Sequence, residues 1–299
     1  MIAQQIVNGI VIGSVYALVA LGFTLIYGIV RLINFAQVSL YAIGGYLGVA
    51  VFDQAHRLFG WPANLPMFVL AVLLGGALTG VIGMVVEIGV YRPLRGAPLL
   101  AMLVASLAML IFQENLIQVI AGPDTLTVPS YVSSKPFTVA GASITPMQVV
   151  MLMTALVLMV VLTLVVERSK LGRAMRTLAA DHEVARLMGV DVNLIITLTF
   201  AIAALLVGVA GILASTNYGI TTPTFGDQTG LKGFTAAVLG GMGRIPGAVI
   251  GGFALGLIES LSTLVIPTAW TTAVSFGVLI AFLALRPTGI LGERVVSRT

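Results

Sequence analysis

The sequence predicts an all-α polytopic membrane protein, and three observations carry that prediction. Of its 299 residues, 59% are hydrophobic and 9% are charged. A soluble domain carries about 25% charged residues, so this few cannot cover a water-soluble surface. The apolar residues fall into runs of roughly the 20 residues that a helix needs to cross a bilayer. The basic residues between the runs gather in particular loops, as expected if Lys and Arg mark the cytoplasmic side.

Eight runs qualify as spans: about 6–30, 34–52, 67–89, 99–120, 147–166, 194–214, 246–265 and 269–285. The first begins "MIAQQIVNGIVIG", with no basic n-region and no small-residue cleavage site, and is expected to be retained. The stretch near 231–242 is apolar but too short and glycine-rich for a regular span. It reads as a half-helix that completes a crossing in extended chain, which requires cover from protein or a watery cavity. The 34 glycines suit close backbone approach between spans. Gly243, Gly247 and Gly251 are four apart, as are Gly252 and Gly256, Gly76 and Gly80, and Gly44 and Gly48. Helix packing is the plain reading of that spacing. A weaker pattern links "YGIVRLINFAQVSLYAIGGYLG" with "LGGMGRIPGAVIGGFALG": glycine, a basic residue, a break, then a glycine-studded helix, as in a transporter repeat.

The loops assign sides. Arg92 and Arg95, then Arg168, Lys170, Arg173, Arg176 and Arg186, then Arg286, Arg294 and Arg298 belong in the cytoplasm. The loop 121–146 holds only Asp124 and Lys135 as charges, with four prolines, and fits the outside. The N-terminus is then outside, and the tail and Arg244 are inside only if 231–242 crosses.

Several chemistries are excluded. Without cysteine there are no disulfides, thiolate metal sites or cysteine nucleophiles. No Walker A, G-x-S-x-G or H-E-x-x-H pattern occurs. His56 and His182 fall in loops on opposite sides, which argues against a metal site. No basic, aromatic-interleaved stretch points to nucleic acid. Polar residues within spans are few: Asn34 and Gln37 at the start of span two, Gln113, Glu114, Asn115 and Gln118 in span four, and Glu259 in span seven. Glu114 reads as an interfacial residue. Glu259 has two open readings, a buried structural hydrogen bond or a place on a pathway. A break at Asn34 is either a simple turn or a helix N-terminus whose free donors attract an anion.

One internal segment, Glu167 to Asp191, holds nine of the 26 charged residues. Span five ends at Glu167–Lys170, and "LGRAMRTLAA" can continue as helix with Arg173 and Arg176 on one side. Asp181 can cap a short helix with Glu183 in its first turn. Val184, Leu187 and Met188 form an apolar strip, and Gly189 ends the helix in a left-handed conformation. A two-turn helix is not stable alone, so something should pack on it. The plainer alternative is a solvated loop that only sets topology.

"EVARLMG", Glu183 to Gly189, resembles the E-A-A-x-x-x-G coupling motif of bacterial ABC-transporter permeases, with Val184 in place of the first Ala. With "NGIVIGSVYALVALGFTLIYGIVRLINFAQVSLYAIGGYLG" and "FTAAVLGGMGRIPGAVIGGFALG", nearly the whole chain is similar to the permeases for branched-chain amino acids, the shorter of the two-permease pair. Gln37 stands where those permeases often have His. The resemblance implies one permease domain over residues 1–299, with a coupling loop at about 167–193, in the inner membrane. It implies a second homologous permease, two cytoplasmic ATP-binding cassette subunits and a periplasmic or extracellular substrate-binding protein. ATP and Mg would sit on the partners, and this chain would bind no cofactor and hydrolyse nothing. Arg173, Arg176, Asp181, Glu183, Ala185, Leu187, Met188 and Gly189 would form the coupling surface. Asn34, Gln37, Gly243 and Glu259 are the candidates for the translocation path. Related permeases serve urea or short amides. An ion-coupled transporter would need coupling-ion residues, and a membrane enzyme would need a constellation that is not visible.

Overall fold

The computed structural model describes residues 1–132, 135–139, 141–286 and 288–291. The chain runs through α1 (Ile2–Val30), α2 (Ala36–Phe59) and α3 (Leu65–Val86), which continues as a π-helical turn over Glu87–Tyr91. Then come α4 (Leu99–Ala121), β1 (Leu126–Thr127), β2 (Phe137–Val139), β3 (Ala142–Ile144) and α5 (Pro146–Arg168). The charged segment folds as α6 (Lys170–Ala180) and α7 (His182–Leu187). Last are α8 (Val192–Tyr218), β4 (Ile220–Thr221), α9 (Gly226–Gly240), α10 (Ile245–Ser262), a 3₁₀ turn at Thr268–Trp270 and α11 (Thr271–Leu285).

Local chemistry sets the helix ends. Asn64 accepts from the Met67 amide at the start of α3, beside Pro66 in its first turn. Thr145 and Gln148 make a reciprocal capping box on α5. Gly60, with φ of 65°, ends α2 in a left-handed turn. Among the described residues, seven helical segments are long and apolar enough to cross a membrane. The 24-residue α2 is as long, but Gln37, Ser39 and three glycines dilute its apolar content, and Asp53, His56 and Arg57 lie in its last turns. Gln37, Ser39 and the glycines are buried nearer its start, whereas Asp53, His56 and Arg57 are exposed near its far end.

The core is built on α1 and α8, which are buried over most of their length, while α4, α5 and α11 are apolar and largely exposed. Surfaces such as Leu99, Leu100, Val104 and Ile111 need lipid or another subunit as cover. The small-residue spacing works as predicted. A Cβ at Gly44 would overlap the Gly208 backbone, and one at Gly252 would overlap Ala17. Gly9 and Gly13 of α1 face Leu257 and Phe253 of α10, so these two helices pack backbone to backbone.

The two ends of the bundle separate the loops as the charges require. At one end the Gln4 amide donates to the Ser143 carbonyl (3.0 Å) and accepts from the Ser143 amide (2.7 Å). There β1 pairs antiparallel with β4, Leu126 opposite Thr221, and β2 pairs with β3, Phe137 opposite Ile144. At the other end Arg95 reaches Asn193 at the start of α8, and Arg244 donates to the Leu291 carbonyl. Arg294 and Arg298 lie outside the described residues.

The expected half-helix is α9. It starts at Gly226, earlier than 231, and so also takes in Asp227. The chain leaves α8 at Tyr218 and returns as β4, with Thr221 against Gly45 of α2. It restarts as α9 with Gly226 against the Val38 carbonyl. Part of this crossing is therefore extended chain held between α2 and β1. The segment after α5 also differs from a continued helix. Ser169 has extended backbone, donates to the Val165 carbonyl (2.6 Å) and accepts from the Gly172 amide (2.9 Å). One side chain thus closes α5 and caps α6.

Candidate functional site

The coupling segment is anchored on one side and open on the other. In α6, Gly172, Met175 and Leu178 are buried, while Arg173 is exposed. A Cβ at Gly172 would overlap the Val165 and Val166 carbonyls, so glycine lets α6 fold back onto the end of α5. Arg176 donates to the Val166 carbonyl and tightens that fold. Asp181 Oδ1 accepts from the amides of Glu183 (2.7 Å) and Val184 (3.1 Å), satisfying two donors at the start of α7. Ala185 alone in α7 is buried. Val184 (46% exposed), Leu187 (88%) and Met188 (71%) face outward. Gly189 has φ of 79°, and the Val190 amide donates to the Ala185 carbonyl (3.0 Å), turning the chain sharply into α8. Asp191 caps α8 through the Leu194 amide. An apolar strip thus projects from a short helix fixed at both ends.

The residues expected on a path do not meet at one point. The break between α1 and α2 begins at Arg31, which has a left-handed φ of 57°. Asn34 is buried, and its Oδ1 accepts from the Ala36 amide (3.0 Å) and from the Tyr91 hydroxyl. The Gln37 and Val38 amides donate to the Asn34 and Phe35 carbonyls. The donors expected to be free for an anion are therefore already used within the chain, because Asn34 folds back as an Asx turn. Gln37 is fully buried and neither atom of its amide has a partner among the described residues. It lies where a Cβ at Gly22 would also meet Val207 of α8. Gly243 (φ 96°) faces Gly28 across the two breaks, so the two halves of the suggested repeat touch there. A small cavity of about 80 Å³ brings Gly28 and Gly243 together with Arg176 of the coupling segment.

Glu259 sits about 21 Å along α10 from its first residue, Ile245, which follows Gly243 by two positions, at 1.5 Å per residue. Its Oε1 pairs with Lys232 Nζ at 2.6 Å, and its Oε2 accepts from the Tyr16 hydroxyl at 2.8 Å. Three helices, α1, α9 and α10, converge on this carboxylate. The sequence reading overlooked Lys232, whose only signal is a lone charge in a glycine-rich apolar run. It also overlooked Glu87. That carboxylate is fully buried in the π-helical turn and pairs with Arg95 and with Arg92 (3.2 Å). It also accepts from Thr197 of α8 (2.6 Å). Glu114 lies against Asp227 at the start of α9, and so is not simply an interfacial residue. At the N-terminal end, Tyr131 is buried between Phe52 and Phe68. Burial, and then the nearby Asp53 carboxylate, raise its phenol above the usual range.

Among the described residues, no group of three His, Cys, Asp or Glu could hold a metal ion. The helices, broken spans and projecting short helix together define a multi-pass helical membrane protein. The chain belongs to the family described as branched-chain amino acid transport system / permease component, whose model matches residues 5–283. It is similar to the high-affinity branched-chain amino acid transport system permease protein LivH of Escherichia coli K12. The two are 38% identical over 99% of this chain and 97% of that protein. The corresponding protein BraD of Pseudomonas aeruginosa is 38% identical over the same shares. A probable LivH of Methanocaldococcus jannaschii is 30% identical over 97% of this chain and 92% of its own length.

Proposed function

We propose that this chain is one of two homologous membrane subunits of an ATP-driven importer of branched-chain amino acids in the inner membrane. The single observation that carries this beyond family membership is the projecting face of α7. Val184, Leu187 and Met188 are exposed on a helix too short to stand alone, yet Asp181, Ala185 and Gly189 fix it in place. Such a face is suited to a groove on a cytoplasmic ATP-binding cassette subunit, with Arg173 and Glu183 as charged contacts beside it.

ATP and Mg are used by two such partner subunits, and this chain binds neither. A soluble binding protein delivers substrate at the N-terminal end of the bundle. Substrate then passes between this chain and the second permease, with Asn34, Gln37, Gly243 and Glu259 along or framing the route. The contact of Gly243 with Gly28, beside Arg176, supports the inner part of that assignment. It gives movement of α6 and α7 a direct way to reach both helix breaks.

The test is expression of the chain with its neighbouring genes, followed by purification and reconstitution. Co-purification of an ATPase and ATP-dependent uptake of labelled leucine, isoleucine or valine are expected. Uptake that runs on an ion gradient without ATP would overturn the reading.

A further inference from the structure

At the end of the bundle that carries the N-terminus, α1, α5, α8, α10 and the Thr268–Trp270 turn line an open cavity of about 420 Å³. That is within the roughly 300–1,000 Å³ range of small-molecule sites. Its lining is divided by chemistry. Asn8, Gln148, Asn217 and Glu259 are polar, and Val11 and Ile12 of α1 are aliphatic. Glu259 is the charged member. Behind it, Lys232 and Tyr16 hold both carboxylate oxygens. The Lys232 ammonium also lies 6.0 Å from the centre of the Tyr16 ring.

We propose that this cavity is a transient site for a free aliphatic α-amino acid in its zwitterionic form, a proposal that rests on the function given above. Glu259 attracts the ammonium group, the amides of Asn217 and Gln148 receive the carboxylate, and Val11 and Ile12 meet the side chain.

Three features argue for this assignment. A buried ion pair in a membrane protein is costly, and packing alone is served as well or better by apolar residues of similar volume. The carboxylate of this pair, however, lines a cavity with several polar residues rather than a packed seam. The donors needed for a carboxylate are also present. Gln148 Oε1 is engaged by the Thr145 amide, which fixes the side chain and leaves its NH₂ to donate. The Asn217 side chain has no hydrogen-bond partner among the described residues. Finally, the wall is neutral overall. Lys232 cancels the charge of Glu259 but does not itself line the cavity, so a carboxylate and the neutral amides of Asn217 and Gln148 are what the wall presents. A zwitterion can use both kinds of group, whereas a lone carboxylate or a lone amine can use only one.

Because the chain has no cysteine, the site can be tested directly in membrane vesicles holding the co-expressed importer. Thr268→Cys, or Thr263→Cys on the same cavity if the first does not assemble, is labelled from the N-terminal side with an impermeant cationic methanethiosulfonate. L-leucine is expected to slow labelling at least threefold. 4-Methylpentanoate, which lacks the ammonium group, and 3-methylbutylamine, which lacks the carboxylate, are expected to leave the rate within a factor of two. Pro62→Cys, in an exposed loop at the same end, should label at a rate that leucine does not change. Adding Glu259→Gln with Lys232→Met, which leaves neither charge unpaired, should abolish protection while labelling persists. No labelling at either cavity position overturns the proposal, as does labelling that leucine does not slow, or protection that survives the double replacement. Wild-type leucine uptake, measured in parallel, separates the two ideas. Uptake without protection removes this site and leaves the function standing, whereas absence of ATP-dependent uptake removes both.

Discussion

The hydroxyl of Tyr91 donates to the side-chain carbonyl of Asn34, joining the π-helical turn after α3 to the break between α1 and α2. The same Asn34 oxygen holds the first amide of α2. Tyr91→Phe removes one neutral hydrogen bond and leaves that cap intact, so it should lower stability by about 1 kcal/mol. Asn34→Leu also strands the buried Tyr91 hydroxyl and the Ala36 amide, and should cost about 2–4 kcal/mol. Denaturant or thermal unfolding of the purified protein in detergent should give that order. Equal stability of the two variants would show that the shared acceptor does not organise the break.

Gln37 gives a sharper test because its buried amide has no partner among the described residues. A polar group that pays for desolvation without a hydrogen bond is not there for stability. Gln37→Met, similar in shape, should leave stability unchanged or raise it by about 1–2 kcal/mol. If position 37 belongs to the path, leucine uptake by the reconstituted importer falls even so. Full uptake in a stable Gln37→Met variant would take this residue off the route.

Glu87 ties the π-helical turn to the first turns of α8 through Thr197, with Arg92 and Arg95 as counter-charges. Glu87→Gln removes the charge at the centre of that cluster. Both arginines are partly exposed and regain some water, so the expected loss is about 2–3 kcal/mol, below the value for a fully buried pair. Because α8 begins just after the coupling helix, leucine-stimulated ATP hydrolysis should fall more than basal hydrolysis. An equal fall in both would mark Glu87 as a purely structural residue.

Much of this arrangement was legible in the chain. The clusters at Arg92 and at Arg168–Arg186 mark one end of the bundle because charge is expensive within a bilayer and has nowhere else to go. Asp181 and Gly189 announce the bounds of α7 because capping and left-handed termination depend only on near neighbours. The four-residue glycine spacing foretold helix contact, but not which helix Gly44 or Gly252 would meet. What stayed hidden depends on distant partners. Lys232 gains its meaning from Glu259, in another helix, and the Asn34 donors are used up by a fold-back that Tyr91 stabilises from α3. The Glu87–Arg92 contact spans five residues because the turn there is π-helical, a spacing that a 3.6-residue period does not suggest.

Glycine substitutions separate packing from conformation. A side chain at Gly44 would run into the backbone of Gly208, and neither helix can withdraw without opening the α2–α8 seam. Gly277 of α11 has open space where a Cβ would lie. Gly44→Leu should therefore prevent recovery of folded protein by fluorescence-detected size exclusion, while Gly277→Leu should be recovered at near wild-type yield unless α11 meets another subunit. A poor yield for Gly277→Leu only when the second permease is co-expressed would place α11 in their interface.

The coupling helix offers the most direct test of assembly. Nothing lies within 4 Å of a Cβ at Gly189, so sterics alone permit any residue there. Its φ of 79° does not, and a β-branched side chain in that conformation is strained by about 1–3 kcal/mol. Gly189→Val should relieve that strain by reorienting α7, which only Ala185 anchors by burial. The bundle itself should remain folded. Glu183 is exposed and serves the start of the helix through its backbone, which Asp181 caps. Glu183→Lys should therefore keep α7 formed, losing only a favourable dipole term of about 0.3–1 kcal/mol, while reversing the charge offered to a partner. Lys170→Gln, at the start of α6, should change neither. Co-purification with the ATPase is expected to fall most for Gly189→Val. For Glu183→Lys, either co-purification or leucine-stimulated hydrolysis should fall. Full association and full stimulation in both variants would leave the segment a solvated connector, and its charge a topology signal alone.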